Sequence, residues 1–583
     1  MKSYEVIWDA INLAVLDTLP PDTKFSLSKP KNLSFGDYST NAALLIGNLL
    51  EENPMSIAEG LKKNFLENYL SNVARIEVVK PGFINFFLSD SVLQDVALDA
   101  FNNPYTFCGN VIVDSRTHIV EFSSPNIAKP FTIGHLRSTI IGNSIASILL
   151  HLGYKVVKDN HLGDWGTQFG KMIVAIKKWG DEEQISNSEN PVKELVALYQ
   201  KFHAESTAEM GVVDDTNPQL TEEDEPEKGT SPLLDEAREW FVKLEKGDLE
   251  ARRIWKICVD LSMREFSKIY ERLCVSFDTF WGESMFENKM DVVLQELKDK
   301  NLVRESKGAL MVFFEDKTKL DPLMVLKKDG GTLYATRDLA TDRYRKEFYG
   351  KNIVIINEVG KEQASYFKQI FKVEELLGYF EKGQRIHVKH GLYKFPDGKM
   401  STRKGNVIWL ADVLDEAVKG ARALSGGNLG DSDIEKIGIG AIKFYDLYRD
   451  CEGDVLFSWE NILNMEGDTG PYVQYTAVRI NSLLEKARTQ EMVPYEIVLG
   501  KSEQDIARII EGFPVVIMKA ANEYAPHHLA SYLIDLARTY NSYYANTKII
   551  QERNQAGLFV SQATANVLTL GLKLLGIEVP SKM

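Results

Sequence analysis

Residues 118–143 read H-I-V-E-F-S-S-P-N-I-A-K-P-F-T-I-G-H-L-R-S-T-I-I-G-N, and this stretch decides the fold. Its first apolar residues are typical of a short, mostly buried strand, and the serines and prolines that follow predict a loop. After Gly134, apolar residues recur at helical spacing as far as Gly153, which is placed to end the helix. The stretch therefore predicts a strand–loop–helix unit.

Such a unit can bind an anion where the helix begins, because unpaired backbone N–H groups and the helix dipole point there. Gly134 lacks a Cβ atom, so a flat ring could lie against its backbone. His135 and Lys129 would bring a donor and a positive charge to a phosphate. A turn without any ligand is the ordinary alternative for a glycine and a histidine at a helix start.

Taken whole, the stretch resembles the HIGH signature region of the arginyl-tRNA synthetases, which are class I aminoacyl-tRNA synthetases. His135 matches the second histidine of that signature. Thr132 stands where the family usually has the first histidine, and its hydroxyl can still donate a hydrogen bond.

The chain has 583 residues, which predicts about three domains, and 44% apolar residues, which is enough for large cores. The net charge of −15 by itself argues against a nucleic-acid partner, although RNA binding needs only a locally basic surface. Part of the acidity is concentrated in residues 214–227, which contain seven carboxylates and no Lys or Arg.

The four cysteines form no C-x-x-C pair, so the sequence predicts a reducing compartment and no structural zinc. The N-terminal M-K-S-Y-E-V-I-W-D lacks the apolar core of a signal peptide. No run of residues approaches the ~18 apolar residues of a membrane helix. We therefore expect a cytoplasmic protein without a membrane partner.

Residues 1–112 predict a separate α+β domain, in which residues 73–88 alternate as a hairpin with its turn at Pro81 and Gly82. The segment G-D-Y-S-T-N-A-A (36–43) is similar to the N-terminal additional domain of the same family. That resemblance implies contact with the corner of a tRNA.

Residues 113–455 predict a catalytic domain with a Rossmann-like, doubly wound parallel sheet, in which ligands bind beyond the carboxyl ends of the strands. The loop H-L-G-D-W-G-T-Q (161–168) follows the second strand and is again similar to the family. A charged helical insertion is predicted at about 180–270, with an acidic, mobile loop at 205–232.

The segment G-G-T-L-Y-A-T-R-D-L-A-T-D (330–342) predicts a glycine turn followed by a helix. On a helix, Tyr334 and Asp338 would share one face, and a carboxylate beside a phenol suits a guanidinium. An exposed Asp338 paired with a neighbouring arginine is the alternative. Since Y-x-T-x-D is the arginine-pocket motif of the family, the resemblance implies that these two residues bind the substrate guanidinium.

Two further segments carry the resemblance. Gln363 matches a glutamine with which the family contacts its substrate, and Tyr366 stands where a histidine is expected. The basic loop D-G-K-M-S-T-R-K-G-N (397–406) resembles the KMSKS motif and suits closure over a triphosphate. Thr402 replaces the second lysine of that motif, and Lys129 matches the lysine that is thought to supply its charge.

From residue 456 to residue 583 the pattern becomes all-helical and resembles the anticodon-binding bundle of the family. This part has 11 Lys and Arg against 13 Asp and Glu, so it is nearer to neutral than the whole chain. Tyr540, Tyr543 and Tyr544 could stack on splayed bases, although a row of tyrosines lies more often at the edge of a core.

The resemblance covers nearly the whole chain and implies ATP-dependent ligation of L-arginine to tRNA(Arg) through an arginyl-adenylate. It implies catalytic contacts to the triphosphate from Lys129, His135, Lys399, Arg403 and Lys404. It implies further ATP contacts from Thr132, Gly134, Gly391, Met400 and Ser401. It implies arginine contacts from Ser124, Asn126, His161, Tyr334, Asp338 and Gln363.

We further expect Mg²⁺ to arrive on the phosphates of ATP, the chain to act as a monomer, and an editing site to be absent. Two alternatives remain open. One is a class I synthetase for another amino acid, and the other is a catalytically silent homologue that binds tRNA. Thr132 and Thr402 favour the silent homologue, whereas the retained lysines and His135 count against it.

Overall fold

The computed structural model describes residues 2–16, 18–20, 25–30, 32–67, 72–210, 231–315, 319–328, 333–395, 408–487 and 497–583. The predicted basic loop at 397–406 and the predicted glycine turn at 330–331 lie outside the described residues, as does most of the predicted acidic loop. Within the described ranges, none of the helices has both the length and the apolar character needed to cross a membrane.

The first part of the chain forms an α+β unit. Its elements are α1 (Lys2–Val15), β1 (Leu27–Ser28), β2 (Tyr38–Thr40), α2 (Ala42–Leu50), α3 (Pro54–Glu67), β3 (Val73–Val79), β4 (Phe83–Leu88) and α4 (Asp90–Asn102). The strands form an antiparallel sheet in the order β1-β2-β4-β3. The hairpin predicted at residues 73–88 is confirmed, because β3 and β4 pair on either side of Pro81 and Gly82.

The middle of the chain alternates strands and helices. The elements up to the end of the helical insertion are β5 (Thr117–Glu121), α5 (Gly134–Leu152), β6 (Lys155–Asp159), α6 (Gln168–Trp179), α7 (Glu182–Asn187), α8 (Pro191–Glu209), α9 (Pro232–Glu245) and α10 (Leu249–Arg272). The elements that follow are α11 (Met290–Asp299), β7 (Val303–Ser306), β8 (Ala309–Val312), β9 (Leu323–Leu326), α12 (Tyr334–Tyr349), β10 (Ile353–Gly360), α13 (Ala364–Leu377), β11 (Arg385–His390) and β12 (Tyr393–Lys394).

The central sheet has four parallel strands in the order β11-β10-β5-β6, which confirms the doubly wound sheet. The chain runs from β5 outward to β6, and then returns to the other side of β5 with β10 and β11. The strand order therefore switches between β5 and β10, which is where such sheets bind ligands at their carboxyl edge. The sequence did not predict the antiparallel sheet formed by β7, β8 and β9.

The predicted helical insertion consists of α7 to α10, but the predicted boundary of its acidic loop is wrong. Residues 205–209 continue α8 rather than beginning a loop. The helix continues because Phe202 and Ser206 are buried, and because the Glu209 carboxylate accepts a hydrogen bond at 3.0 Å from the Leu233 N–H in the first turn of α9.

The last part of the chain is mainly helical from Leu410, which is earlier than residue 456, where the all-helical pattern was predicted to begin. Its elements are α14 (Leu410–Leu424), α15 (Asp431–Leu447), β13 (Val455–Leu456), α16 (Trp459–Ile462), α17 (Gly470–Lys486), α18 (Lys501–Glu511), α19 (Phe513–Asn522), α20 (His527–Asn546) and α21 (Gln555–Leu574). The short strand β13 pairs with β12 and so joins this part to the central region.

The two ends of the chain pack together through buried charges. The Tyr38 hydroxyl donates to the Glu511 carboxylate on α18 at 2.8 Å, and the Lys29 ammonium lies 2.7 Å from the same carboxylate. Arg508 pairs with the buried Asp37 at 3.1 Å. The G-D-Y part of the segment expected to touch tRNA therefore holds the first α+β unit against the helical end of the chain.

A close contact between α5 and the loop after β5 requires Gly142. A Cβ atom at Gly142 would lie 2.2 Å from the Phe122 Cβ, which is far inside van der Waals contact. The glycine thus lets α5 approach the sheet closely enough to present its first turn at the carboxyl edge of β5.

A buried ion cluster fixes α12 to the same edge of the sheet. Arg345 of α12 is 1% exposed, contacts Asp159 at the end of β6, and lies 2.6 Å from Glu121 at the end of β5 and 2.9 Å from Asp342. Burial opposes ionisation of Glu121, but Arg345 and smaller contributions lower its pKa to about 2. Arg385 on β11 extends the cluster by pairing with Asp342 at 2.6 Å.

We expect Gly142→Ala to lower the free energy of unfolding by about 1–3 kcal/mol, because the added methyl group overpacks against Phe122. Gly60→Ala is the control, since Gly60 lies within α3 and a Cβ there meets no atom within 4 Å. Gly60→Ala should raise the free energy of unfolding by about 0.5–1 kcal/mol, because alanine has the higher helix propensity. Denaturant unfolding measures both, and a stabilising Gly142→Ala would contradict the packing argument.

We expect Arg345→Met to lower the free energy of unfolding by about 3–5 kcal/mol at neutral pH, because the buried carboxylates of Glu121 and Asp159 lose their cation while Asp342 keeps Arg385. Arg343→Met, which removes partly exposed pairs on the same helix, should cost about 0–1 kcal/mol.

The cost of Arg345→Met should also depend on pH. The pKa of Glu121 is lower in the folded chain than the ~4.3 of an unfolded glutamate. Its stabilisation is therefore present above that value and is lost as the pH falls toward about 2. The difference between the variant and the parent should shrink in acid, and a difference independent of pH would contradict the role of the ion cluster.

Candidate active site

The loop after β5 has a strained backbone. Ser123, Ser124 and Ala128 have φ angles of 72°, 44° and 57°, in the left-handed region that residues other than glycine seldom adopt. Such conformations persist when the surrounding structure enforces them, and they cluster at functional sites. The rest of the fold therefore determines the shape of this loop.

Side chains of α5 and α10 enforce that shape. Ser138 accepts a hydrogen bond from the Ser123 N–H at 2.9 Å, and Ser262 accepts one from the Ala128 N–H at 3.0 Å. The hydroxyls of Ser123 and Tyr270 are 2.8 Å apart. Sequence reasoning missed these supporting residues. The available signal was that Ser262 and Tyr270 lie two turns apart on the buried face of α10.

His135 presents a neutral N–H donor at the start of α5. Its Nδ1 atom accepts a hydrogen bond from the Thr132 N–H at 3.0 Å, which leaves the proton on Nε2. Burial, with smaller contributions from His390 and Lys129, lowers the pKa of His135 to about 4. Thr132, at the position of the missing first histidine, also places its hydroxyl 3.1 Å from Nδ1 and so helps to orient the remaining histidine.

The two predicted glycine contacts to ATP differ in their surroundings. Gly134 is exposed, and a Cβ there would meet only the Thr132 hydroxyl, at 3.4 Å, among described atoms. A flat ligand therefore has room against Gly134. A Cβ at Gly391 would lie 2.5 Å from the Gly453 carbonyl oxygen, so internal packing already accounts for that glycine.

The backbone next to the second signature lies against the first. The Ile133 N–H donates to the Ile408 carbonyl at 3.2 Å, and the Leu410 N–H donates to the Phe131 carbonyl at 2.9 Å. Thr132 and Trp409 form an antiparallel bridge between them. The described chain therefore resumes at Ile408 beside the start of α5, and the predicted contacts Lys399, Met400, Ser401, Thr402, Arg403 and Lys404 lie outside the described residues.

The loop after β6 is paired with the loop after β5. Asn126 forms a parallel bridge with Gly163, and the Ile127 N–H donates to the Gly163 carbonyl at 3.0 Å. Asp164 has a structural role, because its carboxylate accepts hydrogen bonds from the backbone and the hydroxyl of Ser284 at 2.8 and 2.6 Å.

Two buried polar atoms face this paired region without a partner. The His161 Nδ1 atom lies 2.6 Å from the Trp281 carbonyl oxygen, so its Nε2 atom is the one left over. Neither His161 Nε2 nor the Ser124 hydroxyl has a hydrogen-bond partner among the described residues. Because buried polar atoms are normally paired, both are available to a ligand.

The neighbouring carboxylates suit His161 to an anionic group. Burial opposes the charged imidazole, but Glu121 and Asp338 outweigh it and raise the pKa of His161 above its ordinary value. A proton on Nε2 would then be available to such a group, because Nε2 has no hydrogen-bond partner among the described residues.

Asp338 lies half-buried on the first turns of α12, and its hydrogen-bond partner comes from another helix. The Tyr366 hydroxyl on α13 donates to the Asp338 carboxylate at 2.5 Å. The ring of Tyr334 instead lies 4.6 Å from the guanidinium of Arg337. Tyr334 begins α12 and so shares that helix with Asp338, as predicted, whereas the phenol that contacts the carboxylate comes from α13.

Burial raises the pKa of Asp338 above its ordinary value, and His161 and the hydrogen bond from Tyr366 oppose that rise. Gln363 lies one turn before Tyr366 at the start of α13, and it is exposed. The structure therefore brings Asp338, His161 and Ser124 to the carboxyl edge of the sheet, with Gln363 at the rim.

The predicted tyrosine platform in the C-terminal helices is wrong for two of its three members. Tyr540 is fully buried with its hydroxyl 2.8 Å from the Ser561 hydroxyl, and Tyr543 is buried and donates to Glu503 at 2.7 Å. Their hydroxyls are satisfied within the core, so the rings do not offer a face to bases. Tyr544 is half-buried beneath Arg479.

Comparisons with known proteins agree with these observations. Residues 106–459 match the family described as tRNA synthetases class I (R), catalytic domain. Residues 473–583 match a DALR anticodon binding domain, and residues 5–88 match an arginyl tRNA synthetase N terminal domain.

The arginine–tRNA ligase of Streptococcus uberis is 40% identical over 584 residues, which cover 98% of each chain. That of Halothermothrix orenii is 37% identical over 99% of each chain. The crystal structure of arginyl-tRNA synthetase from Plasmodium falciparum superposes with a TM-score of 0.80 at 25% identity, over 100% of this chain and 98% of the other. The Thermus thermophilus arginyl-tRNA synthetase superposes with the same TM-score at 23% identity, over the full length of both chains. On this evidence the chain belongs to the arginyl-tRNA synthetase family of class I aminoacyl-tRNA synthetases.

Proposed function

We propose that the chain is an arginine–tRNA ligase that joins L-arginine to tRNA(Arg) at the expense of ATP. The observation that carries the proposal is the half-buried Asp338 carboxylate at the carboxyl edge of the sheet, near His161 of the loop after β6. A carboxylate in such a place is completed by a planar, cationic guanidinium, which offers forked donors to both oxygens.

The proposed first step joins arginine to the nucleotide. An oxygen of the arginine carboxylate attacks the α-phosphate of ATP, a P–O bond breaks, and pyrophosphate leaves. Ser124 and His161 support the α-groups of arginine through their unpartnered atoms, with Asn126 and Gln363 beside them. The chain supplies position and charge stabilisation rather than a covalent nucleophile.

The proposed contacts to ATP centre on the start of α5. The Nε2–H of His135 and the N-terminal amides of α5 donate to phosphate oxygens, and adenine lies against Gly134. Lys129 and the basic residues of the 397–406 loop neutralise the triphosphate. Among the described residues, no three His, Cys, Asp or Glu side chains are grouped to hold a metal ion. We propose that Mg²⁺ enters the site on the phosphates of ATP, as part of that substrate.

In the proposed second step, a hydroxyl of the terminal ribose of tRNA attacks the arginyl carbonyl carbon, and AMP leaves. We assign tRNA contacts to residues 1–112 and to the helical residues 456–583, with residues 113–455 performing the chemistry. We further propose that the protein acts in the cytoplasm as a monomer. An editing site is not needed, because a buried Asp338 without its guanidinium disfavours other amino acids.

We expect Asp338→Asn to lower kcat/KM for arginine by roughly 10³ or more, because the neutral amide cannot pair with a guanidinium. Binding of tRNA should be unchanged. Glu347→Gln, at the exposed end of the same helix, is the control and should leave both properties unchanged. Steady-state aminoacylation and a filter-binding titration measure the two quantities. Ordinary use of arginine by Asp338→Asn would remove the pocket assignment.

We expect arginine-dependent exchange of pyrophosphate into ATP only when tRNA(Arg) is present. Exchange without tRNA would retain the ligase but contradict the tRNA-dependent first step. No exchange under either condition, with tRNA still bound, would favour a silent homologue and would identify Thr132 as the first residue to restore to histidine.

A further inference from the structure

We propose that Tyr366 is a positioning and specificity residue, which holds the Asp338 carboxylate for the arginine guanidinium without adding a positive charge to the pocket. This inference rests on the proposed function and concerns the residue that departs from the histidine expected in the family. The hydrogen bond of 2.5 Å from the Tyr366 hydroxyl to Asp338 Oδ2 carries it.

The hydrogen bond leaves the carboxylate able to receive a substrate. A carboxylate has about four lone-pair positions on two oxygens, and Tyr366 occupies one of them. The remaining positions suffice for a forked guanidinium, while the phenol fixes the plane of the carboxylate. Since Gln363 directly precedes α13 and Tyr366 lies in its first turn, the start of this helix sets the two groups relative to each other.

Tyr366 is itself firmly placed. Its ring packs against Phe367 at a centroid distance of 5.7 Å, and Phe367 lies 4.4 Å from the ring of His387 on β11. The phenol is therefore a group on a packed helix next to the central sheet, and it can serve as a rigid donor.

The charge of the donor matters because the substrate is a cation. A histidine can also donate to Asp338, but an imidazole beside a carboxylate gains a proton as the pH falls and would then repel the guanidinium. A phenol cannot become cationic. Burial and the charge of Asp338 raise the pKa of Tyr366 well above its ordinary value, so it remains a neutral donor.

The pocket around this pair is mainly acidic. The groups that face Asp338 and Tyr366 are His161 from the loop after β6, Glu121 from β5, Arg337 and Asp342 from α12, Glu374 from α13 and Glu283 from the segment before α11. The negative groups favour protonation of Asp338, whereas His161 and the hydrogen bond from Tyr366 favour its anion. Without Tyr366 the carboxylate should be protonated at a higher pH, and arginine should lose affinity there.

The test measures aminoacylation of tRNA(Arg) by the full-length enzyme and by Tyr366→Phe and Tyr366→His between pH 5.5 and 8.5. At pH 7.5 Tyr366→Phe should raise the KM for arginine about 10-fold, the usual scale for a lost hydrogen bond to a charged group, with the KM for ATP unchanged. The acid limb of its kcat/KM for arginine should move to higher pH.

Tyr366→His should have nearly the parental KM for arginine near pH 8. Its KM for arginine should rise below about pH 6.5, where the imidazole becomes charged. Tyr379→Phe is the matched control, because Tyr379 also donates its hydroxyl to a carboxylate, that of Glu296, outside the cleft. It should leave the KM for arginine and the pH profile unchanged.

The inference is overturned if Tyr366→Phe keeps the parental KM for arginine and the parental acid limb, or if it alters the KM for ATP as much as that for arginine. Equal behaviour of Tyr366→His and the parent at pH 6 would remove the argument about charge. A parent enzyme that does not charge tRNA with arginine would instead refute the proposed function, which is a different result from either of these.

Discussion

The contact between Arg345 and the carboxylates at the ends of β5 and β6 is the constraint on which the site depends. These carboxylates lie at the edge where the ligand-binding loops begin, and burying them without a cation would cost several kcal/mol each. Arg345 supplies that cation from α12, the helix that also carries Asp338. The ion cluster therefore fixes the distance between the carboxyl edge of the sheet and the substrate-facing end of α12.

The same edge holds a loop whose backbone would not adopt its shape alone. Ser123 and Ala128 are in left-handed conformations, and the hydrogen bonds that hold them come from α5 and from α10. The helical insertion is thus more than a surface addition, because α10 supports the first signature loop from behind. Gly142 adds the close approach of α5 that places His135 over this edge.

Local signals in the sequence predicted β5, α5, the parallel sheet and the helical end of the chain, because periodicity and turn residues report on local structure. Local signals could not predict contacts between distant segments. One example is the hydrogen bond from the Ala128 N–H to the Ser262 hydroxyl, which joins residues 134 positions apart. The contact of Tyr366 with Asp338 was missed for the same reason, since helical spacing relates Asp338 to Tyr334 while tertiary packing brings Tyr366 from another helix. Base stacking by Tyr540 was predicted because the sequence does not show that its hydroxyl is satisfied inside, and its burial fits the alternative of a tyrosine at the edge of a core.

The electrostatics of the cleft explain why the two halves of the site differ. Around His135 burial removes charge from the imidazole, which leaves a neutral donor beside cationic groups that suit a triphosphate. Around Asp338 the carboxylates outnumber the cations, which is the reason we propose that a cationic substrate completes this part of the site. A hydrogen-bond donor to Asp338 that could itself become cationic would partly neutralise the carboxylate. The preference for an arginine substrate would then be weaker. Tyr366 stays neutral, so under our proposal the site still requires a cationic substrate although the expected histidine is missing. The selectivity for arginine then rests on the positive charge of its guanidinium.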